Sequence, residues 1–279
     1  MAQTDSPFLR VSGLTKHFRE QSGWLGPILN GAQHTGDVVK AVDDVSFAVE
    51  AGETFGFLGE SGCGKTTLAR TLLRLTEPTA GDAWLDGQSI FEMSPEEVRT
   101  TLRPRVRMIF QHPDAVLNPA YTVFMTLNQA LRLHTDLDEA ARRARARELV
   151  EQVNLPASYL DKYPDALSGG QKRRVGICRA LATEPDAIVA DEPFSGLDIS
   201  LQEQIVDLMQ EIQDAHDLTT LLISHDTGLM RHLCDRIGIM QAGQLVEVLP
   251  TGKMTPEHCE HPYAESLLRT HFNVRRQST

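Results

Sequence analysis

The sequence predicts an α/β fold built on a parallel sheet, and three observations carry that prediction. The apolar run Thr54–Leu58 reads as a buried strand, opens into a glycine-rich loop over residues 59–67, and continues as the helical stretch Thr67–Arg74. Further on, the apolar runs Ala187–Ala190 and Thr219–Ser224 are separated by a helical pattern from Ser200 to Ala215. Strands that alternate with helices make a parallel sheet covered on both faces, because a crossover between parallel strands needs a long connection. The chain has 279 residues, 41% of them hydrophobic, enough to bury a substantial core without disulfides or metals.

Taken in order, Phe8–Leu14 reads as a short strand and turn followed by Thr15–Phe18. Residues Arg19 to Asp37 carry glycines and a proline with little periodicity and read as a surface loop tipped by Trp24-Leu25. Val38–Val49 alternates in strand fashion and leads into the Thr54–Leu58 strand. After the first helix, Asp82–Gly87 reads as a strand ending in a turn. Ser94, Pro95 and Glu97 make a helix start, with Ser94 as N-cap and Glu97 placed for a capping box. Arg105–Phe110 is a strand that delivers Gln111 at its end. From about residue 121 to 165 the chain changes to Ala-, Arg- and Glu-rich helical stretches, which predict a helical subdomain, about 112–175, inserted in the α/β core. Its arginines 142, 143, 145 and 147 share a helix with Glu139, Glu148 and Glu151, which reads as a solvated face. Arg236–Met240 and Gln244–Val248, split by Ala242-Gly243, read as a hairpin closing the core.

The loop Gly59-Glu60-Ser61-Gly62-Cys63-Gly64-Lys65-Thr66-Thr67 fits G-x-x-x-x-G-K-[ST] at every fixed position, in the strand-loop-helix context that gives the pattern meaning. Its glycines let successive N–H groups point inward at phosphate oxygens, and the following helix adds partial positive charge beneath them. Lys65 can reach the β- and γ-phosphates and the Thr66 hydroxyl can ligate Mg²⁺. Asp191 and Glu192 end an apolar strand, so alternation sends one carboxylate toward Mg²⁺ and the other toward a different part of the site. Asp191 is the metal-side residue; Glu192 polarises the attacking water. His225, at the end of its own strand, reads as a γ-phosphate sensor in that setting, and Gln111 can offer its amide oxygen to Mg²⁺ or the water. Ser168, Gly169, Gly170 and Gln171 stand before a helical run, Lys172–Leu181, and form a second anion-binding arrangement.

Two anion sites for one nucleotide make sense once the whole ordered set is compared with known patterns, because it resembles the ATP-binding-cassette ATPases over nearly the whole chain. In that resemblance residues 59–67 are the Walker A loop, Gln111 the Q-loop, Leu167–Gln171 the signature, Asp191-Glu192 the Walker B end, Ser195–Asp198 the D-loop and His225 the switch histidine. It implies a P-loop NTPase, RecA-like core with an antiparallel β subdomain, occupying residues 1–250, and ATP with Mg²⁺ as the bound species. It also implies that two cassettes pair head to tail, Ser168–Gln171 and Asp198 of one facing ATP held by the other, with Phe18 stacking on adenine. The loop between Phe18 and Val38, the segment Gln111–Pro119 and the late His261-Pro262-Tyr263 resemble the oligopeptide/dipeptide/nickel importer ATPases. That narrower likeness implies two membrane permease subunits, an extracytoplasmic substrate-binding protein, and a peripheral place on the cytoplasmic face of the inner membrane. Residues 251–279 are then a C-terminal extension of that type.

Composition bounds the alternatives. The formal net charge of -11 argues against nucleic acid as the main partner, and the start Met1–Asp5 lacks a secretory pattern, so the chain is expected in the cytosol. Cys63, Cys178, Cys234 and Cys259 are scattered without a C-x-x-C pair, which predicts reduced thiols with neither a zinc site nor a disulfide framework. Some members of the resembling family carry a C-terminal cysteine cluster for an iron-sulfur centre; with only Cys259 near that region, the resemblance implies no cluster here. A soluble cassette ATPase acting on nucleic acid or ribosomes is the alternative; it calls for a coiled-coil insertion, zinc cysteines or a second cassette. Against the family's usual pattern, Gln171-Lys172-Arg173-Arg174 replaces the frequent Gln-Arg-Gln-Arg. The segment Pro256–Thr270 reads either as a regulatory or dimer-contact tail or as a plain packing helix.

Overall fold

The structure, a computed structural model, describes residues 6–19, 38–111 and 117–276. The Trp24-Leu25 loop tip and His112–Val116 lie outside the described residues. Strand β1 (Leu9–Arg19) pairs antiparallel with β2 (Val38–Val49) and with β4 (Ala80–Leu85), and β5 (Gln88–Ser89) closes this sheet in the order β2-β1-β4-β5. The sequence suggests a turn after Leu14, but β1 runs through it. Register shifts between Val11 and His17 absorb the irregularity as bulges, so the ladder bends without ending.

The second sheet has the order β10-β9-β3-β8-β7-β6, with β3 (Thr54–Leu58), β6 (Val106–Ile109), β7 (Ala187–Asp191), β8 (Thr219–Ile223), β9 (Arg236–Gln241) and β10 (Gln244–Pro250). β3, β6, β7, β8 and β9 are mutually parallel and β10 returns antiparallel to β9. Arg105 belongs to the preceding helical turn, Arg103–Arg105, and β6 starts one residue later than its sequence suggests.

Every residue of β3, β7 and β8 is buried, and alternation divides them between two cores. Phe55, Phe57, Val189, Leu221 and Ile223 face one way with the antiparallel sheet; Leu58, Ile188, Ala190 and Leu222 face the helices. Phe47 of β2 stacks on Phe55 at 5.4 Å and meets Phe57 edge-on at 5.1 Å, so aromatic contacts seat one sheet on the other. Each such pair adds about 0.5–1.5 kcal/mol beyond its buried area.

The helices follow in the order α1 (Lys65–Leu72), α2 (Val123–His134), α3 (Glu139–Gln152), α4 (Gly169–Leu181), α5 (Ile199–His216), α6 (Thr227–Leu233) and α7 (Pro262–Arg276). Thr122, Asp138, Ser168, Asp198 and Asp226 cap α2 to α6 through side-chain oxygens. The Ser94–Glu97 capping box forms in full. Helices α2 and α3 close over Leu127, Leu131, Leu149 and Val150, all fully buried. α7 buries Ala264 and Leu268 completely and joins Ile239 and Leu249 in a small core behind the β9–β10 hairpin.

Candidate active site

β3 ends at Leu58, and the chain must then pass between two walls of backbone. A side-chain carbon at Gly59 would stand 2.3 Å from the Met240 carbonyl oxygen. One at Gly64, whose φ is +112°, would stand 2.0 Å from that of Ala41. Neither position admits another residue without backbone movement. The loop is fixed from outside by the hairpin turn: Gly243 N–H donates to the Cys63 carbonyl, and Asp43 N–H donates to the Gly243 carbonyl.

Gly64 is the N-cap of α1 and no side chain caps it, so the first-turn N–H groups face the loop as anion donors. Lys65 folds back across the loop, and its ammonium donates to the carbonyls of Gly59 at 2.7 Å and Glu60 at 2.9 Å, with the Cys63 sulfur at 3.5 Å. The ammonium thus sits at the centre of the glycine loop, only 6% of the residue exposed. The Tyr263 hydroxyl of α7 is buried beside the Glu60 backbone without a well-formed hydrogen bond.

Thr66 brings the distant strand end into register. Its hydroxyl donates to Asp191 Oδ1 at 3.1 Å, across 125 positions of sequence. Asp191 is 3% exposed. Burial holds its carboxyl above the ordinary Asp range; the Thr66 bond opposes this, and the neighbouring Glu192 charge adds to it. A hydroxyl and a carboxylate oxygen at this separation are the hard donors that Mg²⁺ takes from protein, the rest of its shell coming from phosphate and water. The donor set therefore fits Mg²⁺ bound with a nucleotide.

Glu192 departs from the strand. Its φ is +47°, an uncommon conformation for a residue with a Cβ, and its N–H donates to the Ile223 carbonyl of the neighbouring strand. Sequence alternation suggests that the pleat separates the two carboxylates; the structure does it with this left-handed residue instead. The Glu192 carboxylate then meets His225, whose Nδ1 lies 2.9 and 3.0 Å from its two oxygens.

Not every predicted residue joins this set. Ser168 and Gln171 form a reciprocal capping box at the start of α4, and the Gln171 amide also donates to the Tyr159 hydroxyl at 3.1 Å. Ser168 and Gly169 are exposed, and no atom lies within 4 Å of where a Gly169 side chain would begin, while Gly170 packs against Leu201. Asp198 spends one carboxylate oxygen on the Leu201 N–H. Among the described residues these five make no hydrogen bond to the phosphate loop. Phe18 lies on β1, 43% exposed, with the Lys16 ammonium 4.9 Å from its ring centre. The backbone carbonyl of Gln111, at the end of its strand, accepts a hydrogen bond from Arg173.

Arg173 is the residue that sequence reasoning passes over. Buried in α4, its guanidinium donates to the carbonyls of Pro193, Gln111 at 3.1 Å and Ser195 at 3.0 Å. The sequence marks only that arginine stands where the resemblance has glutamine; its acceptors are backbone groups and carry no residue signature.

Comparison with known proteins bears on this arrangement directly. Residues 42–195 match the ABC transporter family. The chain is 41% identical over 268 residues to the oligopeptide transport ATP-binding protein AppF of Bacillus subtilis, which covers 96% of this chain and 79% of that protein. It is 43% identical to OppF of the same organism over 82% of this chain and 75% of the relative. A putative peptide import ATP-binding protein of Brucella ovis is 41% identical over 95% and 78%. Among solved structures, the dimeric post-hydrolysis state of the ATP-binding cassette MJ0796 bound to ADP and Pi superposes with a TM-score of 0.74 and 25% identity, covering 87% of this chain and 98% of that one. CbiO1 from Clostridium perfringens shares the fold at a TM-score of 0.74 over 97% and 96%.

Proposed function

The chain belongs to the ABC transporter family, and on that premise we propose how its residues divide the work of an ATP-hydrolysing subunit that energises a peptide importer. The loop Gly59, Glu60, Ser61, Gly62, Cys63, Gly64, Lys65, Thr66 and Thr67 cradles the phosphates of ATP. The Lys65 ammonium, already centred on the loop carbonyls, offsets their charge. Thr66, Asp191 and Gln111 hold Mg²⁺, which neutralises charge on the β- and γ-phosphate oxygens when bound. Glu192 orients the attacking water at its carboxylate, and His225 holds that carboxylate in place while facing the γ-phosphate. Phe18 receives the adenine, its ring backed by the Lys16 charge.

Ser168, Gly169, Gly170, Gln171 and Asp198 act on ATP held by a second cassette, as the exposure of Ser168, Gly169 and Asp198 and the group's absence from the loop's own hydrogen bonds suggest. ATP then binds the closed dimer better than the open one, and that difference in affinity is what moves attached permeases. A cleft of about 340 Å³ beside Gln111, with Leu75, Phe110 and Leu133 on its apolar side and Arg103, Arg107 and Arg179 around it, is where a permease segment docks. Two permeases and an extracytoplasmic binding protein complete the assembly. No helix among the described residues is long and apolar enough to cross a membrane, which accords with a peripheral place on the inner membrane's cytoplasmic face.

The observation that carries this reading is the Thr66–Asp191 bond, which joins a phosphate loop to a metal-side carboxylate. The test is twofold. Phosphate release from ATP by the purified chain is expected to require Mg²⁺. Affinity isolation from detergent-solubilised membranes is expected to recover polytopic permeases. Recovery of ribosomal or DNA-repair proteins without a permease would move the assignment to a cassette acting on nucleic acid.

A further inference from the structure

We propose that Arg173 is a positioning residue for hydrolysis: by holding the Pro193 and Ser195 carbonyls that follow Glu192, and tying them to the Gln111 carbonyl beside them, it fixes the direction in which Glu192 presents its carboxylate. The inference rests on the ATPase reading above and goes beyond it, because Arg173 belongs neither to the phosphate loop nor to the residues that face nucleotide.

Glu192 adopts φ +47° at the end of β7. A glutamate stays in such a conformation only where its surroundings over-determine it. Two backbone bonds help: Glu192 N–H to the Ile223 carbonyl, and Ser195 N–H to the Glu192 carbonyl at 3.2 Å. The second closes the 192–195 turn on itself, but neither bond ties that turn to the helical side of the core. Arg173 does, since its guanidinium donates to Pro193 and Ser195, one and three residues after Glu192. A third donation, to Gln111, ties the same group to the end of β6.

The group is suited to this task because its N–H donors are arrayed in one rigid plane and can serve several carbonyls together. Burying it is costly, and burial draws its basicity down; Nε is buried without any partner. A residue needed only to fill space here has no reason to be charged. Glutamine, the residue common at this place in the resembling family, has a shorter side chain and one amide group, and cannot span the three acceptors. Ser168 caps helix α4, so Arg173, on the first turns of that helix, also makes the signature end and the Glu192 turn one mechanical unit.

The test compares the full-length wild-type chain with Arg173→Gln and Arg173→Lys. Steady-state ATP hydrolysis with Mg²⁺ gives kcat and KM; hydrogen exchange followed by mass spectrometry reads residues 106–111 and 191–198 against the β9–β10 hairpin as internal control. For Arg173→Gln, kcat is expected to fall about tenfold with KM for ATP kept within about twofold, the pattern of a misaimed group beside an intact binding loop. Arg173→Lys, which keeps the charge but not the planar fork, falls between. Exchange in 106–111 and 191–198 is expected to accelerate while the hairpin stays unchanged. An unaltered kcat, or a fall matched by a rise in KM, would overturn the proposal, as would exchange that rises equally everywhere. Absence of turnover in the wild type would instead sink the ATPase reading; the exchange comparison then still decides whether Arg173 anchors the turn.

Discussion

His225 meets the Glu192 carboxylate with a single ring nitrogen placed 2.9 and 3.0 Å from its two oxygens, although the histidine is exposed and the glutamate is mostly buried. The pairing makes the two side chains one functional unit. Glu192→Gln is expected to lower turnover by about 10²–10⁴-fold and to trap an ATP-bound dimer, seen by light scattering. His225→Ala is expected to lower turnover as well. The double variant should be little worse than Glu192→Gln alone, because groups acting as a unit are not additive. Independent, multiplying losses would separate the two roles.

Asp191 makes a prediction about stability that opposes its effect on activity. Burial raises its pKa, so the native chain keeps the proton to higher pH than the unfolded chain does. Stability therefore falls as pH rises from the ordinary Asp value to the raised native one, and the deficit persists at neutral pH. Asp191→Asn removes the charge and keeps an acceptor for Thr66. Nucleotide-free protein at pH 7 is expected to melt about 2–4 °C higher, on the order of 1 kcal/mol, while Mg²⁺-dependent hydrolysis is lost. A lower melting temperature would contradict this account.

Gly64→Ala tests the walls of the phosphate loop. A methyl group there would stand 2.0 Å from the Ala41 carbonyl oxygen at a φ of +112°. The substitution is expected to cost about 3 kcal/mol or more, roughly 6 °C or more in melting temperature. Gly169→Ala, with open space around it, should leave melting within about 2 °C yet reduce hydrolysis by the assembled dimer. Equal melting for the two variants would mean that the loop yields easily.

The thiols supply a pH prediction. Burial first, then the carboxylates of Glu247, Glu265 and Glu257, push the Cys259 thiol up to about 11. Its alkylation in native protein, followed by peptide mass mapping, should be slow at neutral pH and rise about tenfold per pH unit toward that value. Burial also pushes the thiols of Cys178 and Cys234 up, and these should label only on unfolding. Fast, pH-independent labelling of Cys259 near pH 7 would refute the environment described.

What the sequence makes legible is local chemistry with a fixed spacing. The bounds of β2 and β3, the Ser94–Glu97 capping box and the β9–β10 hairpin follow from alternation, capping residues and turn residues that act over a few positions. β1 was less legible, because the turn-like Gly13 is absorbed as a bulge once two partner strands are present. The left-handed Glu192 and the triple anchor of Arg173 were not legible at all. Both depend on carbonyls brought from distant segments, and a carbonyl is the same in every residue. The candidate site was therefore readable as a set of side chains, and not as the scaffold that aims them.

The strand order has a consequence for how this protein comes into being. β3, which delivers the phosphate loop, lies between β8 and β9, and the Cys63 carbonyl is held by Gly243. During synthesis the loop sequence emerges early, but its neighbours on both sides are among the last strands made. An ATP site thus cannot close until nearly the whole catalytic core has left the ribosome, and pairing between such distant segments is slow to form. A nascent chain halted before residue 219 is expected to carry the complete glycine loop and bind no nucleotide.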